Sequence, residues 1–110
     1  MMIHFDIDHS TAKLDVPPEI LTQVLQLLVT ELKSALLVFE DQQPPVSIDK
    51  IRQAGHKVYG MAITIGLENM ARLTREVANR DNTVSITERL VPEIHQEILL
   101  VINLVEQHLG

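Results

Sequence analysis

Residues 20–39, ILTQVLQLLVTELKSALLVF, form the most apolar window of the chain. The apolar side chains recur at intervals of three and four residues, which is the period of an amphipathic α-helix. The inward positions predicted from this spacing are Ile20, Leu21, Val24, Leu25, Leu28, Leu32, Ala35, Leu36 and Phe39. Polar residues such as Gln26, Glu31 and Lys33 interrupt the window and argue against a bilayer span. The pattern therefore predicts a helix that packs on other helices.

Prolines and a glycine punctuate the chain around this helix. Pro17 and Pro18 suit its first turn, whereas Pro44 and Pro45 cannot continue it. Three further helices are predicted over residues 47–66, 67–79 and 85–109. The first of these three begins with Ser47 as its N-cap and ends at Gly66.

The last predicted helix carries a start signal and a proline. Ser85 and Glu88 have the spacing of a capping box, and Pro92 should bend the helix or mark a later start. In the last three helices the predicted inward residues are Ile48, Ile51, Gly55, Val58, Ala62 and Ile65, then Leu67, Met70, Ala71, Thr74, Val77 and Ala78, then Ile94, Ile98, Val101, Ile102, Val105 and Leu109.

Four amphipathic helices with short connections predict an all-α fold, an antiparallel four-helix bundle. The bundle should cover about residues 18–109 of one domain spanning 1–110. Residues 1–16 have weak periodicity and are expected to form an N-terminal arm or short helix. In that arm Ile3, Phe5, Ile7 and Leu14 are available to pack on the bundle.

Composition narrows the class of protein. The chain of 110 residues is 45% hydrophobic, enough for one packed core, and it has no cysteine for a disulfide or a thiolate-ligated zinc site. Its first ten residues lack the basic and apolar regions of a secretory signal, so we expect a soluble, cytoplasmic protein without a membrane segment. The formal net charge of −6 opposes binding to nucleic acid.

The positive charge is concentrated in one segment. Residues 50–80 contain six of the nine basic residues and only two of the fifteen acidic ones, so this segment is +4 while the rest of the chain is −10. The six are Lys50, Arg52, Lys57, Arg72, Arg75 and Arg80. Such a cluster favours an anionic partner, although solvated helix faces also produce clusters of this kind.

One histidine stands between two glycines in this segment. Residues 54–62 read AGHKVYGMA, and each glycine inside a helix costs roughly 0.8–1 kcal/mol relative to alanine. Gly55 lies on the inward seam and suits close helix packing, whereas His56 lies about 100° further round and should be exposed. A side chain at position 60 would lean toward the N-terminus over His56, so Gly60 leaves the ring accessible.

The helical neighbours of His56 are Arg52, Tyr59, Gly60 and Ile63. No partner for a catalytic triad or a metal site stands at helical spacing from it. Glu68 and Glu76 are predicted on another helix, and the sequence alone does not bring them to the histidine. The other four histidines, His4, His9, His95 and His108, are interpreted as surface residues.

The run RQAGHKVYGMAITIGLENMARLTREV, residues 52–77, resembles the central segment of histidine-containing phosphotransfer (HPt) domains. The residues that match the family motif are His56, Val58, Gly60 and Gly66, with the basic Arg52 one turn before the histidine. Two positions depart from it: Tyr59 replaces the family lysine, and Met61 replaces a small residue. Lys57 or Arg52 would then supply the charge that the lysine supplies in the family.

The resemblance implies a phosphorelay intermediate. His56 would accept a phosphoryl group from a receiver-domain aspartate and pass it to another receiver, and Arg52, Lys57, Tyr59, Gly60 and Ile63 would form the partner-binding surface. Response-regulator receivers or a hybrid sensor histidine kinase are the implied partners. No cofactor or metal is expected here, because the receiver would supply the acidic pocket with its magnesium ion. Autonomous kinase activity is not expected, since the chain lacks a glycine-rich nucleotide loop.

Two other interpretations remain open at this point. A catalytically silent helical adaptor would bind a signalling partner through Tyr59, Met61 and Ile63, and the two departures from the motif favour it. A dimerisation module would use Leu100 and Leu104, which stand off the core stripe of the last helix, as Leu37 and Val38 do on the first. A monomer is nevertheless favoured over a dimer.

Overall fold

A computed structural model of the protein describes residues 2–40, 47–79, 81 and 83–110, and within these residues it contains five α-helices and no strand. The helices are α1 (Ile7–Leu14), α2 (Pro18–Glu40), α3 (Ile48–Ile65), α4 (Glu68–Val77) and α5 (Val84–Leu109). Helix α2 packs on α5 and α3, and α4 packs on α3 and α5, so the four long helices surround one core. The prediction of an all-α bundle with a short N-terminal helix is confirmed.

The periodicity of the sequence identified most of the core. Every inward position predicted on α3, α4 and α5 is buried or half-buried. The completely buried residues include Ile51 of α3 and Ile98 of α5, and also Leu25 and Leu32 of α2. The exception on α2 is Ile20, which is 42% exposed because the adjacent Leu21 takes the inward direction at that turn.

Helix α4 buries a wider face than its sequence predicted. Leu73 is 3% exposed although it was not among the predicted inward residues. The helix packs against α3 on one side and α5 on the other, so its buried face is broader than a single seam.

The helix ends differ from the predictions at two places. Thr83, not Ser85, is the N-cap of α5, and its hydroxyl accepts a hydrogen bond from the Ile86 amide at 3.2 Å. The capping box of Ser85 and Glu88 was therefore wrong, because the helix starts one residue before Ser85. Pro92 lies inside α5 and does not mark a later start.

The predicted ends of α3 are confirmed in part. Ser47 occupies the N-cap position but its side chain makes no capping hydrogen bond. Gly66 ends the helix in the left-handed conformation, with φ at 87°, where a glycine avoids the steric cost of a side chain. Pro44 and Pro45 lie outside the described residues.

The N-terminal arm is attached to the bundle by hydrogen bonds. The Ile3 carbonyl accepts from the Asn69 amide at 2.9 Å, and the Ser10 hydroxyl donates to the Ile65 carbonyl at 2.8 Å. Phe5, Ile7 and Leu14 pack against the core as the sequence predicted. The arm therefore lies against the α3–α4 junction.

His4 has a specific partner that the sequence did not indicate, although its side chain is 44% exposed. Its Nδ1 lies 2.7 Å from a carboxylate oxygen of Glu97, whose side chain is only 6% exposed. The Asn69 side-chain amide donates to the same carboxylate at 2.9 Å. A buried carboxylate needs such partners because it has lost its water, and His4 supplies one from 93 residues away in the chain.

Helix α2 has the length and mean hydropathy, 1.4, of a membrane-spanning helix. Core helices meet the same criteria, and α2 buries Leu25, Leu28, Leu32 and Phe39 in the interior of the bundle. Length and composition alone therefore do not make this helix a span.

Candidate histidine phosphotransfer site

His56 lies on the exposed face of α3, as its position next to the buried seam predicted. The seam residues Ile51, Val58 and Ala62 are buried, and they hold α3 against the bundle so that the imidazole faces solvent. An exposed ring at a fixed position is what a phosphoryl acceptor requires.

Gly55, the residue before the histidine, permits α3 and α4 to approach closely. A Cβ at this position would collide with Cγ1 of Val77 and would lie 3.6 Å from the Thr74 carbonyl oxygen. Val77 is buried, and its β-branched side chain has little rotational freedom to move away. The predicted role of Gly55 in helix packing thus has a specific partner.

Gly60, on the following turn, has the opposite surroundings. A Cβ at position 60 would have nothing within 4 Å apart from its chain neighbours and the backbone of its own helix. The residue lies at a groove of about 290 Å³ between α2 and α3, with Leu27 and Met61 among its walls. No neighbouring element therefore requires a glycine here.

The imidazole borders a shallow depression of about 320 Å³ between α3 and α4. The residues around it are His56, Tyr59, Arg75, Ala78 and Asn79. Tyr59, the residue that replaces the family lysine, and Arg75 of α4 thus share one concavity with the histidine. Neither Glu68 nor Glu76 borders it.

The two cations proposed from the sequence have acidic partners. Lys57 Nζ lies 2.8 Å from a carboxylate oxygen of Glu31 on α2, and Arg52 Nη1 lies 3.7 Å from one of Asp49. Lys57 therefore points toward α2, on the other side of α3 from the depression shared with α4. Neither residue borders that depression.

A larger hollow adjoins this depression, and both charged and apolar side chains line it. It measures about 720 Å³, and Tyr59, Ile63, Arg75 and Asn79 are among its walls. Ile63 is 47% exposed. Tyr59 and Arg75 thus border both the histidine depression and this larger hollow of mixed polar and apolar lining.

His56 and Tyr59 border the same depression on the α4 side of α3. The Lys57 side chain and the groove at Gly60 lie on the α2 side. Arg75, which sequence reasoning did not assign to the site, is the functional candidate it missed. The only signal was its membership of the basic segment 50–80. Among the described residues, no group of three histidine, aspartate or glutamate side chains is arranged to bind a metal ion.

Comparison with known proteins identifies the family. Residues 19–104 match the family model of the Hpt domain, which covers most of the chain and all of α3 and α4. Searches of curated proteins and of solved structures gave no significant match. The match includes His56 and the helices that surround it, and the chain therefore belongs to the Hpt domain family of histidine phosphotransfer modules.

Proposed function

We propose that His56 carries a phosphoryl group between receiver domains in a two-component phosphorelay. The observation that supports this function is the exposed imidazole of His56 on the helix that the family model matches. Three of the other four histidines have neighbours of their own, and the fourth, His95, is half-buried. His4 pairs with Glu97, His9 lies 3.8 Å from a carboxylate oxygen of Glu68, and the His108 ring meets Phe5 edge-on.

The chemistry needs only one nucleophilic atom from this chain. The lone pair of the unprotonated imidazole nitrogen forms a bond to phosphorus while the phosphorus–oxygen bond of the receiver's aspartyl phosphate breaks. The aspartate leaves as a carboxylate with the electron pair, and the proton on the other ring nitrogen stays in place. Such transfer depends mainly on positioning and on stabilisation of charge, and the receiver supplies the acidic pocket with its magnesium ion.

The partner surface that we propose surrounds the histidine on α3. Tyr59 and Ile63 present apolar area on the α4 side, and Gly60 permits close approach on the α2 side. Arg52 and Lys57 add positive charge that complements an acidic receiver pocket. In this proposal the chain acts as a soluble, cytoplasmic, monomeric module of one domain spanning 1–110, without kinase activity or a cofactor of its own.

The test is incubation of the protein with a phosphorylated receiver domain. We expect acid-labile, base-stable label on the wild-type protein, no label on His56→Gln, and normal label on a matched control, His95→Gln. Label that survives in His56→Gln would contradict the assignment of the acceptor.

The replacement of the family lysine by Tyr59 favours one alternative, an adaptor that binds receivers without accepting phosphate. Receiver binding by the wild-type protein, measured by calorimetry, without label from any of several receivers would support the adaptor. Concentration-dependent sedimentation would test the separate dimer hypothesis, which rests on Leu37 and Leu100, 66% and 37% exposed, and on the half-buried Val38 and Leu104.

A further inference from the structure

Arg75 is a basic residue that borders the same depression as His56. It lies in the last turn of α4 and borders the depression at the histidine together with Tyr59. Nineteen positions separate Arg75 from His56 in the sequence. The two border the same depression because α4 packs closely on α3, where Gly55 leaves room for Val77.

The other basic residues that the structure describes in segment 50–80 have different positions or partners, and Arg80 lies outside the described residues. Lys57 pairs with Glu31, Arg52 pairs with Asp49, and the Arg72 guanidinium donates to the Asn69 side chain at 3.0 Å. Lys50 lies along a groove between α2 and α3, away from the histidine depression. Within the described part of the chain, Arg75 has no ion-pair partner.

A phosphohistidine in this depression would place new negative charge beside this guanidinium. Arginine binds phosphoryl oxygens through a planar fork of N–H donors, and such charge-assisted hydrogen bonds are about twice as strong as neutral ones. The tyrosine at position 59 offers no positive charge there. The histidine depression therefore already contains a cation, contributed by α4 and not by α3.

We infer that Arg75 binds the phosphoryl group on His56 and takes the place of the lysine that Tyr59 replaces. This inference rests on the proposed function of His56. A purely structural role is the competing explanation, because a cation in the last turn of a helix also stabilises the helix C-terminus. The two explanations differ in whether a cation placed elsewhere in the depression can substitute for Arg75.

The experiment compares four variants with the wild-type protein. They are Arg75→Gln, Arg75→Lys, the double variant Arg75→Gln/Tyr59→Lys, and the control Lys50→Gln, which removes one positive charge from the same basic segment. Two phosphodonors are used, a phosphorylated receiver and phosphoramidate. Phosphoramidate transfers its phosphoryl group to the imidazole with release of ammonia and needs no receiver docking.

We expect Arg75→Gln to lower the rate of His56 labelling about tenfold or more with both donors, the size associated with losing a hydrogen bond to a charged group. Arg75→Lys and the double variant should recover most of the rate, since each restores a cation in the depression. Lys50→Gln should label with phosphoramidate at the wild-type rate. Thermal unfolding of each variant checks that the bundle is intact.

Three results would overturn the inference. Wild-type labelling rates in Arg75→Gln would show that the guanidinium does not act on the phosphoryl group. A lower labelling rate of Arg75→Gln with the receiver but not with phosphoramidate would show that Arg75 acts only in receiver docking. A lower melting temperature of Arg75→Gln, together with a labelling rate that Tyr59→Lys does not restore, would show that Arg75 acts by stabilising the C-terminus of α4. Failure of the wild-type protein to label with either donor would instead contradict the proposed function itself.

Discussion

Two glycines on α3, five residues apart, occupy opposite environments. Gly55 is buried, and a Cβ there would collide with the Val77 side chain of α4. Gly60 is exposed, and a Cβ there would meet no other element. Both residues lower the intrinsic helix propensity by a similar amount, so the sequence alone gives them the same cost.

Close helix packing offsets the helix-propensity cost of Gly55, whereas no packing contact offsets that of Gly60. Gly55 permits the contact between α3 and α4, which brings Arg75 to His56. Gly60 contributes no packing that a larger residue would disturb. We propose that this glycine keeps the histidine accessible, and the proposal predicts that stability and transfer respond separately at the two positions.

The largest effect is expected for Gly60→Leu, on transfer and not on folding. The leucine side chain would lean toward His56 and hold the receiver's phosphoryl group out of attacking distance. A misplacement of about 1 Å can lower a rate on the order of a hundredfold. Receiver-dependent labelling should therefore fall by about that factor, while the melting temperature stays the same or rises. An unfolded Gly60→Leu protein, or normal transfer by a folded one, would contradict this explanation of Gly60.

Gly55→Ala should give the opposite result, a loss of stability. Overpacking a core costs about 1–3 kcal/mol, and the gain in helix propensity offsets up to about 1 kcal/mol. We expect a net loss of up to about 2 kcal/mol in the free energy of unfolding, measured by urea denaturation. The control is the same substitution in a Val77→Ala background. There the added methyl has room, so the loss attributable to Gly55→Ala should largely disappear.

Equal losses in both backgrounds would show that Val77 is not the residue that excludes a side chain at position 55. The double-mutant cycle is suited to this question because the two residues are in direct contact and their effects should not be additive.

The smallest effect is expected for Gly60→Ala. The methyl group meets open space, so the free energy of unfolding should increase by about 0.5–1 kcal/mol from helix propensity alone. Labelling should fall much less than in Gly60→Leu, because a methyl group does not reach over the ring. A destabilised Gly60→Ala protein, measured by the same denaturation experiment, would remove the contrast between the two glycines.

Local features of the sequence predicted most of the fold. The helix bounds lie within a few residues of those observed, since periodicity and end signals such as Gly66 act within one or two turns. The error at the start of α5 is also local: Thr83 and Ser85 are both good N-cap residues, and the actual start depends on where the preceding connection ends.

The sequence by itself determined the helical faces, the exposed position of His56 and the resemblance to phosphotransfer domains, because each depends on spacing within one segment. Only the tertiary structure decided which side chains meet across helices. It pairs His4 with Glu97, directs Lys57 to Glu31, and brings Arg75 to the histidine. Such contacts join residues far apart in the chain, and helical periodicity specifies which face is inward but not which residue of another helix lies opposite.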